Sequence, residues 1–216
     1  FFDAVMGWAD RELIKLTCES YDPSTVLGKP LALISLVPIL TFVALVALVI
    51  STRSVRCCFV TGSLCACEVV NQIIKHLLQH HRPATAHPFY TGYGMPSNHS
   101  QFTAFLAVSI IWVLQRHVAF ASAPGKIVKA ILFAGGLAMV VLVPVSRVYL
   151  TAHSVEQVAV GTGIGVVLAI LAGLCYDWCE KWGVFAHVQD FVDRLEAGVK
   201  HELGLRYHYQ IVLKAD

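Results

Sequence analysis

From Leu31 to Ile50 the chain runs 20 residues without a charge. As an α-helix that run is about 30 Å long, the thickness of the hydrocarbon core of a bilayer. Pro38 lies inside it, which a membrane helix tolerates. Four more apolar segments follow, at about Cys57–Leu78, His99–Leu114, Ile127–Val145 and Val155–Tyr176. The composition is 56% hydrophobic and 14% charged, with a mean hydropathy of +0.66. A soluble domain would carry about a quarter charged residues. The expected fold is therefore all-α, a polytopic membrane bundle of about five transmembrane helices forming one domain over residues 1–216.

Within that domain the segments differ. Residues 1–30 are mixed and charged, with an amphipathic helix expected over Ala4–Leu16, where Trp8, Leu13 and Leu16 are apolar and Asp10, Arg11 and Glu12 polar. Residues 31–176 form the membrane core. Residues 177–216 form a charged tail with a second amphipathic candidate, Val184–Leu195. Both are expected on the membrane surface or against the bundle. No secretory signal is visible, and a chain opening on Phe1-Phe2 instead of Met is expected to be trimmed.

The net charge of +2 without a basic stripe gives no reason to expect nucleic acid as a partner. The seven cysteines are odd in number and mostly lie in apolar segments, so they read as packing residues. Gly161, Gly163, Gly165 and Gly173 in the last apolar segment either permit close helix approach or are merely tolerated by lipid.

Three polar clusters interrupt the apolar sequence. The first runs from Lys75 to Arg82-Pro83, the second is Pro96-Ser97-Asn98-His99-Ser100, and the third runs from Ser146-Arg147 to His153. Alternating spans put all three on one membrane face. Charge at a bilayer is expensive and usually functional. The opposite face carries Arg53 and Arg56 in one short loop and Arg116, Lys126 and Lys129 in the other, whereas residues 84–97 contain no Lys or Arg. The bias of basic residues toward the cytoplasm places the clusters, and the N-terminal segment with them, on the lumenal side. The tail is then cytoplasmic.

Lys75 and Arg82 stand seven apart, expected on one helical face with Pro83 ending the helix. Arg147 adds a third cation, and arginine presents a planar fork of donors to phosphate oxygens. Ser97 or Asn98 suits a helix N-cap, and Asn98 to Gln101 resembles a capping box. Free amides at such a start form an anion seat. A neutral His153 is able to attack phosphorus, and His99 to protonate the leaving oxygen and then activate water. His76 and His80 stand at i, i+4 near His81 and His87, but no carboxylate or cysteine completes a zinc set.

These blocks closely resemble the type 2 phosphatidic acid phosphatase (PAP2) superfamily: Lys-x6-Arg-Pro, then Pro-Ser-Gly-His, then Ser-Arg-x5-His-x3-Asp, in order over residues 75–157. Gly94-Met95-Pro96-Ser97-Asn98-His99-Ser100-Gln101-Phe102, Ser146 to Leu150, His153 and Gln157-Val158 look like the dolichyl diphosphate phosphatases of the endoplasmic reticulum. The resemblance implies metal-independent, cofactor-free hydrolysis of dolichyl diphosphate to dolichyl phosphate and inorganic phosphate through a phosphohistidine, recycling the lipid carrier of N-glycosylation. It implies His153 as nucleophile, His99 as acid/base, Lys75, Arg82 and Arg147 as phosphate ligands, and Ser97 with the amides of Asn98 and His99 as anion seat.

Two positions depart from the wider superfamily pattern. Asn98 replaces Gly. Gln157 stands in place of the Asp that would orient the nucleophile; its amide oxygen can accept from the ring N–H but brings no charge. The dolichyl subgroup similarly lacks that Asp. Other readings are a phosphatase of the same chemistry acting on phosphatidate, sphingosine phosphate or another isoprenyl (di)phosphate, a transporter whose cationic mouth attracts anions, and an inactive lipid-binding relative.

Overall fold

A computed structural model of the chain describes residues 12–14, 19–119 and 122–202. Two short strands, β1 (Glu12–Ile14) and β2 (Glu19–Tyr21), pair antiparallel ahead of the helices. The helix expected over Ala4–Leu16 is thus replaced by strand at residues 12–14, and its remainder lies outside the described residues. The pairing gives the backbone of residues 12–14 hydrogen-bond partners on β2 in place of the i to i−4 partners of a helix.

The first apolar run is split into α1 (Gly28–Ile34) and α2 (Val37–Thr52). The break at Ser35 and Leu36 explains Pro38: it falls in the first turn of α2, where its missing N–H has no partner to lose. Arg53, left-handed at φ 51°, and Ser54 link directly into α3 (Val55–Leu78). There follow α4 (Asn98–Arg116), α5 (Ala123–Tyr149), α6 (Val155–Lys181) and α7 (Val184–Glu202).

Among the described residues four helical stretches are long and apolar enough to cross a membrane: Gly28–Thr52, Val55–Leu78, Ala123–Tyr149 and Val155–Lys181. The third expected span, α4, is less apolar for a physical reason. It sits inside the bundle against α3, α5 and α6, and turns Ser100, Gln101, Thr103 and Ser109 inward. At 19 residues it is about 28 Å long. Part of this polar interior is paired: Asn71 Nδ2 donates to Gln101 Oε1 at 2.7 Å and Gln101 Nε2 to the Cys67 carbonyl at 2.8 Å, while Asn71 Oδ1 and Ser109 Oγ are buried without a hydrogen-bond partner. Gln101 is therefore not the partner of a capping box at the start of α4. Lipid-facing positions such as Ile39, Val43, Ile131 and Leu171 are exposed and apolar.

Glycine brings α6 onto α4. A Cβ at Gly161 would lie 2.5 Å from the Ser97 carbonyl oxygen, and one at Gly165 would collide with the Gln101 carbonyl. Gly173 makes room for Trp112 in the same way, whereas Gly163 faces open space. Close approach is the right reading for three of the four, tolerance for the fourth. At the far end of the bundle from the polar clusters, Trp112 Nε1 and Arg116 Nη1 both donate to Asp177, at 3.0 and 2.6 Å, and Arg56 pairs with Glu180. There α7 docks through Phe185 on Phe59 and Tyr176, leaving Val188, Phe191, Leu195 and Val199 exposed along one stripe. The six described cysteines are free thiols.

Candidate active site

The three polar clusters meet at one end of the bundle. Helix α3 stops at Leu78, with Gln79 in the left-handed region and its amide on the Lys75 carbonyl at 2.9 Å. Lys75 and Arg82 therefore do not share a helical face, contrary to the spacing argument. A non-helical segment turns Arg82 back to the site, because the Gly94 amide takes the His80 carbonyl at 2.7 Å and the chain cannot continue as helix. Lys75, at the last turn of α3, stands within electrostatic range of Arg82 and Arg147 and of both site histidines.

Arg147 and His153 are tied by the turn between α5 and α6. The Arg147 carbonyl accepts from the amides of Ala152 and His153, at 3.0 and 3.2 Å, with Thr151 at φ 59°. The five-residue spacing between them is the length of this turn. Arg147 is 2% exposed and His153 3%.

His153 is held from both sides. Nδ1 lies 2.9 Å from the Gly94 carbonyl oxygen and 3.1 Å from Gln157 Oε1, both acceptors. That puts the ring proton on Nδ1 and leaves Nε2 unprotonated. Arg82 Nη1 lies 3.1 Å from Nε2 and also donates to the Ala152 carbonyl at 2.8 Å. Burial, then the Arg82 and Arg147 guanidinia, push the imidazole down to about 2, so it is neutral across the physiological range. Burial and Arg147 likewise lower Arg82, which stays cationic all the same.

Gln157 has more work than its place in the sequence suggested. It closes a capping box with Ser154 at the start of α6, its Oε1 accepting from the Ser154 amide at 3.2 Å. Its Nε2 donates to the His81 carbonyl at 2.7 Å and lies 3.0 Å from His80 Nδ1. An Asp has no N–H to offer the His81 carbonyl. His80, which the sequence analysis weighed only as a zinc ligand, thus belongs to the frame behind His153.

Ser97 occupies the N-cap position of α4, but its hydroxyl accepts from Ser100 Oγ at 3.1 Å and does not cap a backbone amide. The first-turn amides that follow, at Asn98 and His99, have no intrahelical acceptor. Ser97 N donates to the Gln157 carbonyl at 2.9 Å, which fixes the start of α4 to the start of α6. Asn98 Nδ2 donates to Glu68 Oε1 at 3.0 Å, so the side chain that replaces glycine is anchored to α3.

Three residues that sequence reasoning did not place in the site belong to it. Glu19 on β2 accepts from Arg147 Nη1 at 2.6 Å and from the Tyr90 hydroxyl at 2.7 Å, and lies 3.9 Å from His99 Nε2. Tyr90 carries the Arg82 and Arg147 guanidinia on its ring, each 5.5 Å from the centroid. Burial and the Glu19 carboxylate push its phenol up to about 12, keeping it a donor. Gly94 holds His153 by its carbonyl. The Nε atoms of Arg82 and Arg147 and Nε2 of His99 are buried without a partner. Buried polar atoms are seldom left so, and two guanidinium N–H groups beside an imidazole match a tetrahedral anion.

Beside His99 an apolar groove of about 310 Å³ runs between α2, α3 and α4, lined by Pro38, Ile39, Phe42, Leu64 and Phe102 among others.

The PAP2 superfamily profile matches residues 56–181, from the start of α3 to the end of α6. The chain belongs to the PAP2 superfamily, and with its membrane-spanning helices it is a multi-pass membrane phosphatase acting on a lipid. Its relatives narrow the class. Dolichyldiphosphatase 1 of Rhinolophus ferrumequinum is 35% identical over 73% of this chain and 68% of its own. The human Dolichyldiphosphatase 1 is 34% identical over the same shares, and the Saccharomyces cerevisiae dolichyldiphosphatase 31% identical over 70% and 64%. In fold the chain is similar to a PAP2-type phosphatidylglycerolphosphate phosphatase from Bacillus subtilis, with a TM-score of 0.57 at 21% identity over 71% of this chain and 76% of that one.

Proposed function

We propose that this chain hydrolyses dolichyl diphosphate to dolichyl phosphate and inorganic phosphate, on the lumenal face of the endoplasmic reticulum membrane, and so returns the lipid carrier of N-glycosylation to use. The observation that carries the reading is the neutral His153 with its Nε2 lone pair beside Arg82, next to unpartnered N–H groups of two arginines. The dolichyldiphosphatase relatives and the apolar groove ending at His99 support the substrate. The basic residues Arg53, Arg56, Arg116, Lys126 and Lys129 on the opposite face support the orientation.

In this mechanism Lys75, Arg82 and Arg147 hold the terminal phosphoryl oxygens, with the Asn98 and His99 amides and Ser97 completing the seat. His153 Nε2 attacks the terminal phosphorus, forming an N–P bond while the bond from phosphorus to the bridging oxygen breaks. The electron pair leaves on that oxygen as dolichyl phosphate, with His99 as proton donor. Water then attacks the phosphohistidine and gives its proton to His99, the N–P bond breaks, and inorganic phosphate departs. Gly94 and Gln157 hold the Nδ1 proton throughout.

The neutral amide behind His153 suits an anhydride. Its leaving group is a phosphate monoester, a far weaker base than the alkoxide expelled from a simple ester, so less electron push is needed. The test is phosphate release by the purified full-length chain, with chelator present, from long-chain isoprenyl mono- and diphosphates and phosphatidate. Release fastest from the isoprenyl diphosphate, and abolished in a folded His153→Ala variant, is expected. Preference for phosphatidate overturns the substrate, and undiminished activity of His153→Ala overturns the mechanism.

A further inference from the structure

Glu19 sits against the phosphate-binding cations, and the reaction just described does not use it. It is 4% exposed. Its two oxygens are both engaged, one by Arg147 and one by Tyr90. It reaches the site from β2, ahead of the first membrane helix, where Tyr21 packs with Ala32 of α1 and with Leu150 beside the Arg147 turn. Among the described residues Glu68 is the other acid in range of the cluster; it acts on Lys75 from the groove side and is taken up by Asn98 and Gln72.

The division of Arg147 is informative. Its Nη1 is held by Glu19, while its Nε–H is buried and unpartnered. A guanidinium offers five N–H donors, so one edge belongs to the carboxylate and another is left for a phosphoryl oxygen. A buried arginine with no counter-charge is strongly unfavourable, and Glu19 supplies that charge in the empty site. Once phosphate is bound, the same carboxylate becomes a like charge a few ångströms away, in a setting that screens little.

We propose that Glu19 is a built-in counter-anion that competes with the phosphoryl group for Arg147 and so limits how tightly the site holds phosphate, favouring product release. The inference deepens the phosphatase reading and rests on it for the word product. Glu19 is a specificity and release residue here; it touches no reacting bond.

The test compares the full-length chain with Glu19→Gln, which keeps the size and one acceptor but removes the charge. Binding of inorganic phosphate to each protein in detergent is measured by calorimetry, alongside product inhibition and turnover on a long-chain isoprenyl diphosphate. Glu19→Gln is expected to bind phosphate about tenfold tighter or more, with stronger product inhibition and lower kcat. Unchanged or weaker phosphate binding overturns the proposal; a purely structural residue gives no tightening. Where the variant is unstable, phosphate is expected to raise its melting temperature well beyond the rise seen in the unaltered chain. Failure of phosphate to rescue it also overturns the proposal. Tighter binding in a pair of proteins that release no phosphate from any isoprenyl diphosphate leaves the counter-anion standing and removes the phosphatase reading.

Discussion

Arg82 Nη1 lies 3.1 Å from Nε2 of His153, close enough to deny that nitrogen a proton. The contact favours an imidazole without a proton on that nitrogen. Burial comes first among the causes that push His153 down to about 2, and Arg82 second. Removing the guanidinium should therefore raise the imidazole toward its ordinary range. In Arg82→Gln the acid limb of kcat/KM is expected to move to higher pH by about one unit or more, since one unit is about 1.4 kcal/mol of differential interaction. The sign is fixed: a proton on Nε2 blocks attack, and the variant accepts that proton at higher pH. A pH–rate profile with an unmoved acid limb refutes the role of Arg82 at Nε2.

Gln157 makes a second, less intuitive prediction. Gln157→Glu restores the negative charge that the wider superfamily places behind its nucleophile, yet it should lower kcat. The new carboxylate faces the His81 carbonyl, 2.7 Å from the present Nε2, with no hydrogen to offer. Losing that part-buried hydrogen bond costs about 1 kcal/mol. A fall in melting temperature together with a drop in turnover is expected; faster turnover at unchanged stability contradicts the account.

Gly94 has no room for a side chain. A Cβ there would lie 2.5–2.7 Å from the amide of Gln157. Gly94→Ala is expected to displace both acceptors of His153 Nδ1 at once, lowering kcat about tenfold or more with little effect on substrate affinity. Steady-state kinetics on the purified variant separate the two parameters.

The glycines of α6 supply an internal control. Gly161→Ala drives a methyl into the Ser97 backbone, whereas Gly163→Ala meets nothing within 4 Å. The first should lose about 1–3 kcal/mol through overpacking and most of its activity. The second should be neutral or gain up to about 1 kcal/mol from helix propensity. Thermal denaturation in detergent, paired with phosphate release, reads both.

Much of this architecture was legible in the amino-acid order because four of the helical stretches carry their own signal in length and apolarity, while α4 carries a weaker one. That Arg147 and His153 lie together was legible in their spacing, which the turn at Leu150–Ser154 makes literal. Glu19 was not, since its partner Arg147 lies 128 residues away and no local period records such a pairing. Tyr90 and Gly94 were hidden for a related reason: one acts through its ring on two distant guanidinia, the other through a backbone carbonyl that any residue possesses. The supposed capping box at Asn98 failed because Gln101 found stronger partners inside the bundle, while the true one formed at Ser154 and Gln157.

The glycine contact between α4 and α6 has a consequence for how such proteins diversify. With Gly161 and Gly165 pressed on the Ser97 and Gln101 backbones, the anion-binding half is welded and leaves little scope for drift. Helix α2 lends Pro38, Ile39 and Phe42 to the groove yet packs only lightly on the rest. The groove shares α4 with the proposed anion seat through Asn98, His99 and Phe102, so a change of lipid length is expected to evolve most readily on α2, the wall that carries none of the proposed reacting atoms.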